Sequence, residues 1–205
     1  MIIYYRLQKD RLNKQFLYLL LQNAKHLYAI IDIETTGHSH QSGKITEIAI
    51  FIHDGFGIVD SYSTLINPEC YISPFITRLT GIDNEMVRHA PRFYEVAKKI
   101  VEITQDKVFV AHNVNFDYKF IQEEFRQLGY DFQWPTMCTV RMGRKYIPGH
   151  RSYSLGKLCG DLGISINGRH RAAGDALATV KLFEIILDKK ALKEAKVDPN
   201  QLRMF

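Results

Sequence analysis

The chain has 205 residues, 46% of them hydrophobic, which suits one large α/β domain with a real core and leaves too little chain for a second full domain. Lys and Arg total 27 against 22 Asp and Glu, a net charge of +5 that is compatible with a polyanionic partner without being evidence for one. Cys70, Cys138 and Cys159 are odd in number and lack C-x-x-C spacing, so they read as reduced thiols of a cytoplasmic protein and exclude a disulfide scaffold or zinc finger.

Leu12, Phe16, Leu19, Leu20 and Asn23 recur at helical spacing, which predicts an amphipathic helix over about residues 8–24 within an N-terminal extension, residues 1–26. Its apolar stripe packs on the domain or serves a partner. The apolar run Phe16–Leu21 is too short for a membrane span and has no small-residue cleavage site after it. From Leu27 the pattern turns to strands. Tyr28-Ala-Ile-Ile-Asp-Ile-Glu reads as a buried strand, and residues 44–68 as two alternating strands joined at Asp54-Gly55. Gly55-x-Gly57 is a turn, because no helix follows to complete a dinucleotide fingerprint.

Residues 74–103 predict short helices broken at Gly81 and Pro91. Lys107–His112 is a buried strand, after which Asn115 caps a helix with Phe116, Phe120, Ile121, Phe125 and Leu128 on one side. A short strand near Met137–Val140 precedes a helix around Ser154–Leu162, and a last helix runs from about Ala172 to Leu187. Residues 27–188 thus form the main domain and 189–205 a C-terminal tail. A hairpin followed by alternating helices and strands predicts a mixed β-sheet flanked by α-helices, class α/β.

Four acids stand in unusual places. Asp32 and Glu34 are two apart on an apolar strand, so they share a face, and repulsion and desolvation should both raise their pKa values. A bound cation would make the pair tolerable. Asp117 lies in the first turn of a helix just after a buried strand, and Asp175 opens the last helix five residues after His170. Singly, each has an ordinary reading: a partner of the helix dipole, a capping acid, an exposed loop histidine.

Together, D-x-E on a strand, H-N-x-x-F-D at a strand–helix junction and H-x-x-x-x-D at a helix start resemble the three motifs of the DEDDh exonucleases, the family of the epsilon proofreading subunit of bacterial DNA polymerase III. Asp32–Gly37 matches the first motif, His112–Asp117 the second and His170–Asp175 the third, with histidine where the sister subfamily has tyrosine one position later, here Arg171. Arg78–Val87 also resembles the family's segment between hairpin and second motif. The resemblance spans about Leu27–Leu187.

It implies a ribonuclease-H-like fold and metal-dependent 3′→5′ hydrolysis of nucleic acid, with release of nucleoside monophosphates. It also implies that Asp32, Glu34, Asp117 and Asp175 hold two divalent metals, Mg²⁺ or Mn²⁺, for which hard carboxylate oxygens are suited. His170 would be the general base, since an imidazole, with an ordinary pKa of about 6.5, accepts protons at neutral pH. Thr35, Thr36 and Gly37 would line the pocket for the 3′-terminal nucleotide, Ile82 would wedge against the terminal base or pack in the core, and Asn113 would support the substrate or the Asp117 loop. Arg169 and Arg171 flank the base, where they meet phosphates or solvent. His112 takes a structural hydrogen bond, and His38-Ser-His40 reads as a solvated loop.

DNA in proofreading or repair is the leading substrate; RNA is the alternative within enzymes, and a catalytically silent nucleic-acid-binding module the alternative outside them. All four acids and the histidine are present, which disfavours the silent module. The implied partners are DNA, DNA polymerase III subunits and the sliding clamp. For the last, Gln201, Leu202, Met204 and Phe205 at the chain end resemble the short clamp-binding peptide of bacterial polymerases and repair enzymes, with Met204 in place of the commoner Leu.

Overall fold

Every residue of Tyr28–Ile31 is buried, which explains why this stretch reads as a continuous apolar run: it is the central strand of the sheet. The structure is a computed structural model that describes residues 26–197, with side chains through Glu194. The sequence-predicted helix near residues 8–24 and the clamp-like residues Gln201–Phe205 lie outside the described residues. Strands Tyr28–Thr35 (β1), Ile45–His53 (β2), Ile58–Leu65 (β3), Val108–Ala111 (β4) and Thr136–Cys138 (β5) form one sheet in the order β3-β2-β1-β4-β5. The β1, β2 and β3 pairs are antiparallel, whereas β1–β4 and β4–β5 are parallel, giving the mixed sheet predicted from the element order. The hairpin turns where Asp54-Gly55 predicts: the Asp54 carboxylate accepts from the Phe56 and Gly57 amides at 2.8 and 3.0 Å.

Helices follow the sheet as Pro74–Thr80 (α1), Asn84–Val87 (α2), Phe93–Thr104 (α3), Asn115–Gln127 (α4), Thr139–Tyr146 (α5), Leu155–Asp161 (α6) and Ala172–Val197 (α7). Ser73 caps α1 ahead of Pro74, and Gly81 ends it in the left-handed conformation that a residue without Cβ adopts freely. Three predictions need correction. Asn115 is the first residue of α4 and not its cap, because Val114 already holds helical angles. Helix α5 replaces the far end of the predicted short strand near Met137–Val140. The last helix continues ten residues beyond Leu187, held in part by Ala191, which is buried.

The alternation of β1 sorts the core into two layers. Ala29, Ile31 and Ile33 face Val96, Ile100, Phe120 and Phe125 of α3 and α4, while Tyr28 and Ile30 face Val180, Phe183 and Leu187 of α7. Burying each of these large side chains contributes about 1.5–3 kcal/mol. The even-numbered face then continues to Asp32 and Glu34, where α7 begins. There Ala49, Ala172 and Ala176 pack together, fully buried, and such small side chains let the helix start lie close on the sheet. That approach brings the last-helix motif to the strand motif.

Candidate active site

Strand geometry sets the first two carboxylates, and a register shift between Glu34 and Thr35 ends their regular pairing with β2. Such a bulge bends a strand and re-aims its side chains. Beyond it the chain is tied down. The Thr35 hydroxyl donates to the Gly37 carbonyl at 2.6 Å, and the Thr36 hydroxyl accepts from the Lys44 amide at 2.9 Å. Thr35 is buried and Thr36 and Gly37 are half-buried, at the rim of the acids.

Asp175 reaches the same place from α7. Asp32, Glu34 and Asp175 each offer an oxygen within 4.8 Å of the others'. Asp117, in the first turn of α4, is buried and stands apart from this set of three, yet its charge is felt by Asp32. Burial, then repulsion from Asp117, Asp175, Glu34 and Glu47, holds Asp32 well above the usual carboxylate range. Burial first, then Asp175 and Glu47, pushes Glu34 up to about 7, against the pull of Arg171. Burial raises Asp117 to about 8 although its own amide and that of Ile33 favour the anion. Asp175 is likewise raised by burial, with the His170 amide opposing. These are hard oxygen donors with mutual repulsion and no cation bonded to them among the described residues, and that donor set fits divalent ions such as Mg²⁺ or Mn²⁺.

His170 sits in a tight loop rather than on the helix. Its φ is 61°, in the left-handed region, and its backbone amide donates to Asp175 Oδ2 at 2.7 Å. Gly174 makes the loop possible: a Cβ there would lie 2.2 Å from the Gly168 carbonyl oxygen. His112 takes the structural role expected of it. Its Nε2 donates to the Tyr153 carbonyl at 2.8 Å and its Nδ1 accepts from the Thr139 hydroxyl at 2.9 Å. Asn113 is exposed, with φ of 71°, at the turn from β4 into α4.

Ile82 takes the second of its two expected places. It is 0% exposed within a cluster with Ile72, Ile76 and Val87, so its side chain is core and is unavailable to a terminal base. Glu47 is the residue that sequence reasoning missed. It stands directly across from Glu34 on β2, and it receives both arms of Arg171, at 2.7 and 3.1 Å, and the Ala172 amide at 2.8 Å. An acid on the buried face of a strand beside the D-x-E pair was its only sequence signal. Arg171 is thereby committed to a carboxylate and not to phosphate. A cleft of about 630 Å³ beside α4, lined by His40, Lys119, Arg126 and Phe132 among others, contains none of the motif acids. The three cysteines are free thiols, and among the described residues no helix is long and apolar enough to cross a membrane.

The exonuclease family model, RNase_T, matches residues 29–183. The epsilon subunit of DNA polymerase III from Aquifex aeolicus is 35% identical over 163 residues, which cover 79% of this chain and 81% of that protein. The PolC-type DNA polymerase III of Caldanaerobacter subterraneus is 38% identical over 87% of this chain, and the 3′-5′ exonuclease DinG of Bacillus subtilis 37% identical over 80%. The chain spans only 14% and 18% of the lengths of those two larger proteins. Among solved structures, exonuclease X in complex with 5′-overhanging duplex DNA is 28% identical with a TM-score of 0.66, over 78% of this chain and 91% of that one. Exonuclease I of E. coli with a dT13 oligonucleotide shares the fold, with a TM-score of 0.73 at 17% identity over 82% of this chain and 42% of that one. With most of its length matched by the family model and by a relative of similar size, the chain belongs to the exonuclease family.

Proposed function

We propose that this protein is a divalent-metal-dependent 3′→5′ exonuclease of DNA ends, serving proofreading or repair. The observation that carries the reading is the convergence of Asp32, Glu34 and Asp175, with Asp117 apart from the three but close enough for Asp32 to feel its charge. Repelling carboxylates of raised pKa are costly to a fold unless something uses them. Bound there, two divalent ions would lower the pKa of a water and neutralise charge on the phosphate and the leaving oxygen. Asp32, Glu34 and Asp175 would hold one, and Asp32 with Asp117 the second.

His170 takes a proton from the attacking water, whose oxygen bonds to the terminal phosphorus as the bond to the preceding 3′-oxygen breaks, and that oxygen takes up a proton from solvent to become the new 3′-hydroxyl. The products are a nucleoside 5′-monophosphate and a strand shorter by one. The amide of His170 is tied to Asp175, which couples the position of the base to that of a metal-holding carboxylate. Thr35, Thr36 and Gly37, at the bulged end of β1, together with exposed Asn113, border the place for the terminal nucleotide. Similarity to an epsilon subunit supports association with DNA polymerase III subunits, and Gln201, Leu202, Met204 and Phe205 supply the clamp-binding peptide. A cytoplasmic location fits these roles.

The test offers 5′-labelled single-stranded DNA, duplex DNA with a mispaired 3′ end, and RNA, each with Mg²⁺ or Mn²⁺. Stepwise shortening of the DNA strands from the 3′ end, abolished by chelator, is the expected result. Internal cleavage, or preference for RNA, would overturn the substrate assignment, and no cleavage of any strand would overturn the activity.

A further inference from the structure

Between Asp131 and Asp161 the sequence holds five Lys or Arg and no Asp or Glu, so residues 132–160 alone carry the +5 of the whole chain. The rest of the molecule is balanced. Elsewhere Arg88 pairs with Glu85, Arg92 with Glu69, Arg126 with Glu123 and Arg171 with Glu47. In this segment Arg141, Arg144, Lys145, Arg151 and Lys157 are all exposed, and among the described residues none is in an ion pair. Arg144 instead lies over the Tyr153 ring, 5.7 Å from its centroid, and Lys145 lies 4.9 Å from that of Tyr146. Attraction between a cation and an aromatic face partly fixes the charge in place.

The segment is joined to the acids on three sides. The Tyr153 carbonyl accepts the hydrogen bond of His112, which immediately precedes Asn113 and lies five residues before Asp117 in the second motif. Arg169, immediately before His170, packs on α6 so tightly that a Cβ on Gly156 would come within 2.8 Å of its guanidinium. Leu158 of α6 and Met142 of α5 share a core with Leu182 and Ile186 of α7, the helix that carries Asp175. The cationic surface is therefore built rigidly onto the frame of the acid cluster.

A cluster of carboxylates repels a polyanion, and a balanced surface does not draw one in. We propose that α5, the loop after it and α6 form a phosphate track that binds the DNA strand 5′ to the scissile bond, with Arg141, Arg144, Lys145, Arg151 and Lys157 meeting successive backbone phosphates. The inference rests on the exonuclease reading and adds the path of the substrate beyond its terminal nucleotide. Backbone contacts of this kind position a strand without reading its sequence, which suits an enzyme that removes whatever base stands last.

The experiment measures binding of 5′-labelled single strands of 4 and 20 nucleotides by fluorescence anisotropy, with Ca²⁺ as the metal and a series of salt concentrations. The full chain is compared with Arg144→Gln/Arg151→Gln/Lys157→Gln and with a control of equal charge loss, Lys98→Gln/Lys99→Gln/Lys119→Gln. The track variant should bind the 20-mer at least tenfold more weakly at low salt, and its slope of log affinity on log salt should be shallower by about 2, since each single-strand phosphate contact contributes roughly 0.7. The 4-mer should be affected less, and the control should differ from the parent by less than threefold. Equal losses in the two variants, or an unchanged slope in the track variant, would overturn the track. Digestion of the 20-mer by the unaltered chain with Mn²⁺ separates the two claims: its absence sinks the exonuclease reading, while digestion with an unchanged slope sinks only the track.

Discussion

Glu34 and Glu47 face each other across β1 and β2, the same side chain on the same rung, with opposite fates. Glu47 has a guanidinium on both oxygens and a backbone amide besides, all supplied by the start of α7. Glu34 has Asp175 and Glu47 for neighbours and a pKa pushed up to about 7. One carboxylate is spent on holding a helix in place; the other is left with its charge uncompensated. The contrast teaches how to tell a structural acid from a functional one when both are sequestered. The test is whether the fold has already supplied the counter-charge.

The largest effect should follow from removing an uncompensated acid. Asp32→Asn is expected to lower turnover about a thousandfold or more, as loss of a principal charge-stabilising group does. In metal-free protein the same change relieves repulsion, so its Tm should equal or exceed the parent's. A metal-free Tm well below the parent's would place Asp32 with Glu47, among the structural acids. Next in size is the proposed base. His170→Ala should cost roughly a hundredfold or more in rate, within the range for general-base removal, while calorimetric Mn²⁺ affinity stays within a few fold of the parent. Joint loss of rate and metal affinity would make His170 a ligand and not a base.

Much of the site was legible because its signals are local. Asp32 and Glu34 announce themselves as charges two apart in an apolar strand, and Asp117 and Asp175 as acids at the first turns of helices after motif histidines. The strands of the hairpin and its turn followed from alternation and from Asp54-Gly55, and the mixed sheet from the succession of elements. What was hidden depends on partners remote in sequence. Glu47 looks like one acid in an alternating strand, and its meaning comes from Arg171, 124 residues away. Ile82 resembles a family position, but its burial is fixed by Ile72, Ile76 and Val87 packing around it. Helix α5 was masked by Cys-Thr-Val, which favours a strand, and by Gly143, where a Cβ would come 3.3 Å from the Tyr153 ring. Close packing, not propensity, sets that glycine.

The metal-free protein should also reveal the uncompensated group through pH. Glu34, with a folded pKa of about 7, and Asp117, with about 8, bind protons in the folded state that ordinary unfolded carboxylates release near pH 4. Between those limits the folded state holds more protons, so stability is fully present below about pH 4 and is lost as pH rises toward about 8. In chelator, the Tm should fall by on the order of 10 °C from pH 5 to pH 8. Saturating Mn²⁺ should remove most of that slope by supplying the missing positive charge. A Tm that rises with pH in chelator would mean that the carboxylates are compensated already, as Glu47 is.

The smallest expected effect tests the other side of the comparison. Glu47→Gln keeps an acceptor for the Ala172 amide but takes away the charge that holds Arg171 by two bonds. Two consequences compete, because Glu47 also repels Asp32 and Glu34. The bonded contacts at 2.7 and 3.1 Å should win over that more distant repulsion. Charge-assisted hydrogen bonds contribute about 1.5–3 kcal/mol when buried. The Arg171 side chain is 40% exposed, so water screens part of this, and a net loss of about 1–2 kcal/mol is expected. It should appear as a Tm lower by about 3–6 °C. Unlike the pH effect, it should persist with Mn²⁺ bound, since the pair is complete without metal. Arg171→Gln should cost a similar amount, and the double variant little more than either single one, because one interaction is being removed twice. Stabilisation by Glu47→Gln in chelator would show that repulsion outweighs the pair, and the two glutamates would then belong to one strained cluster.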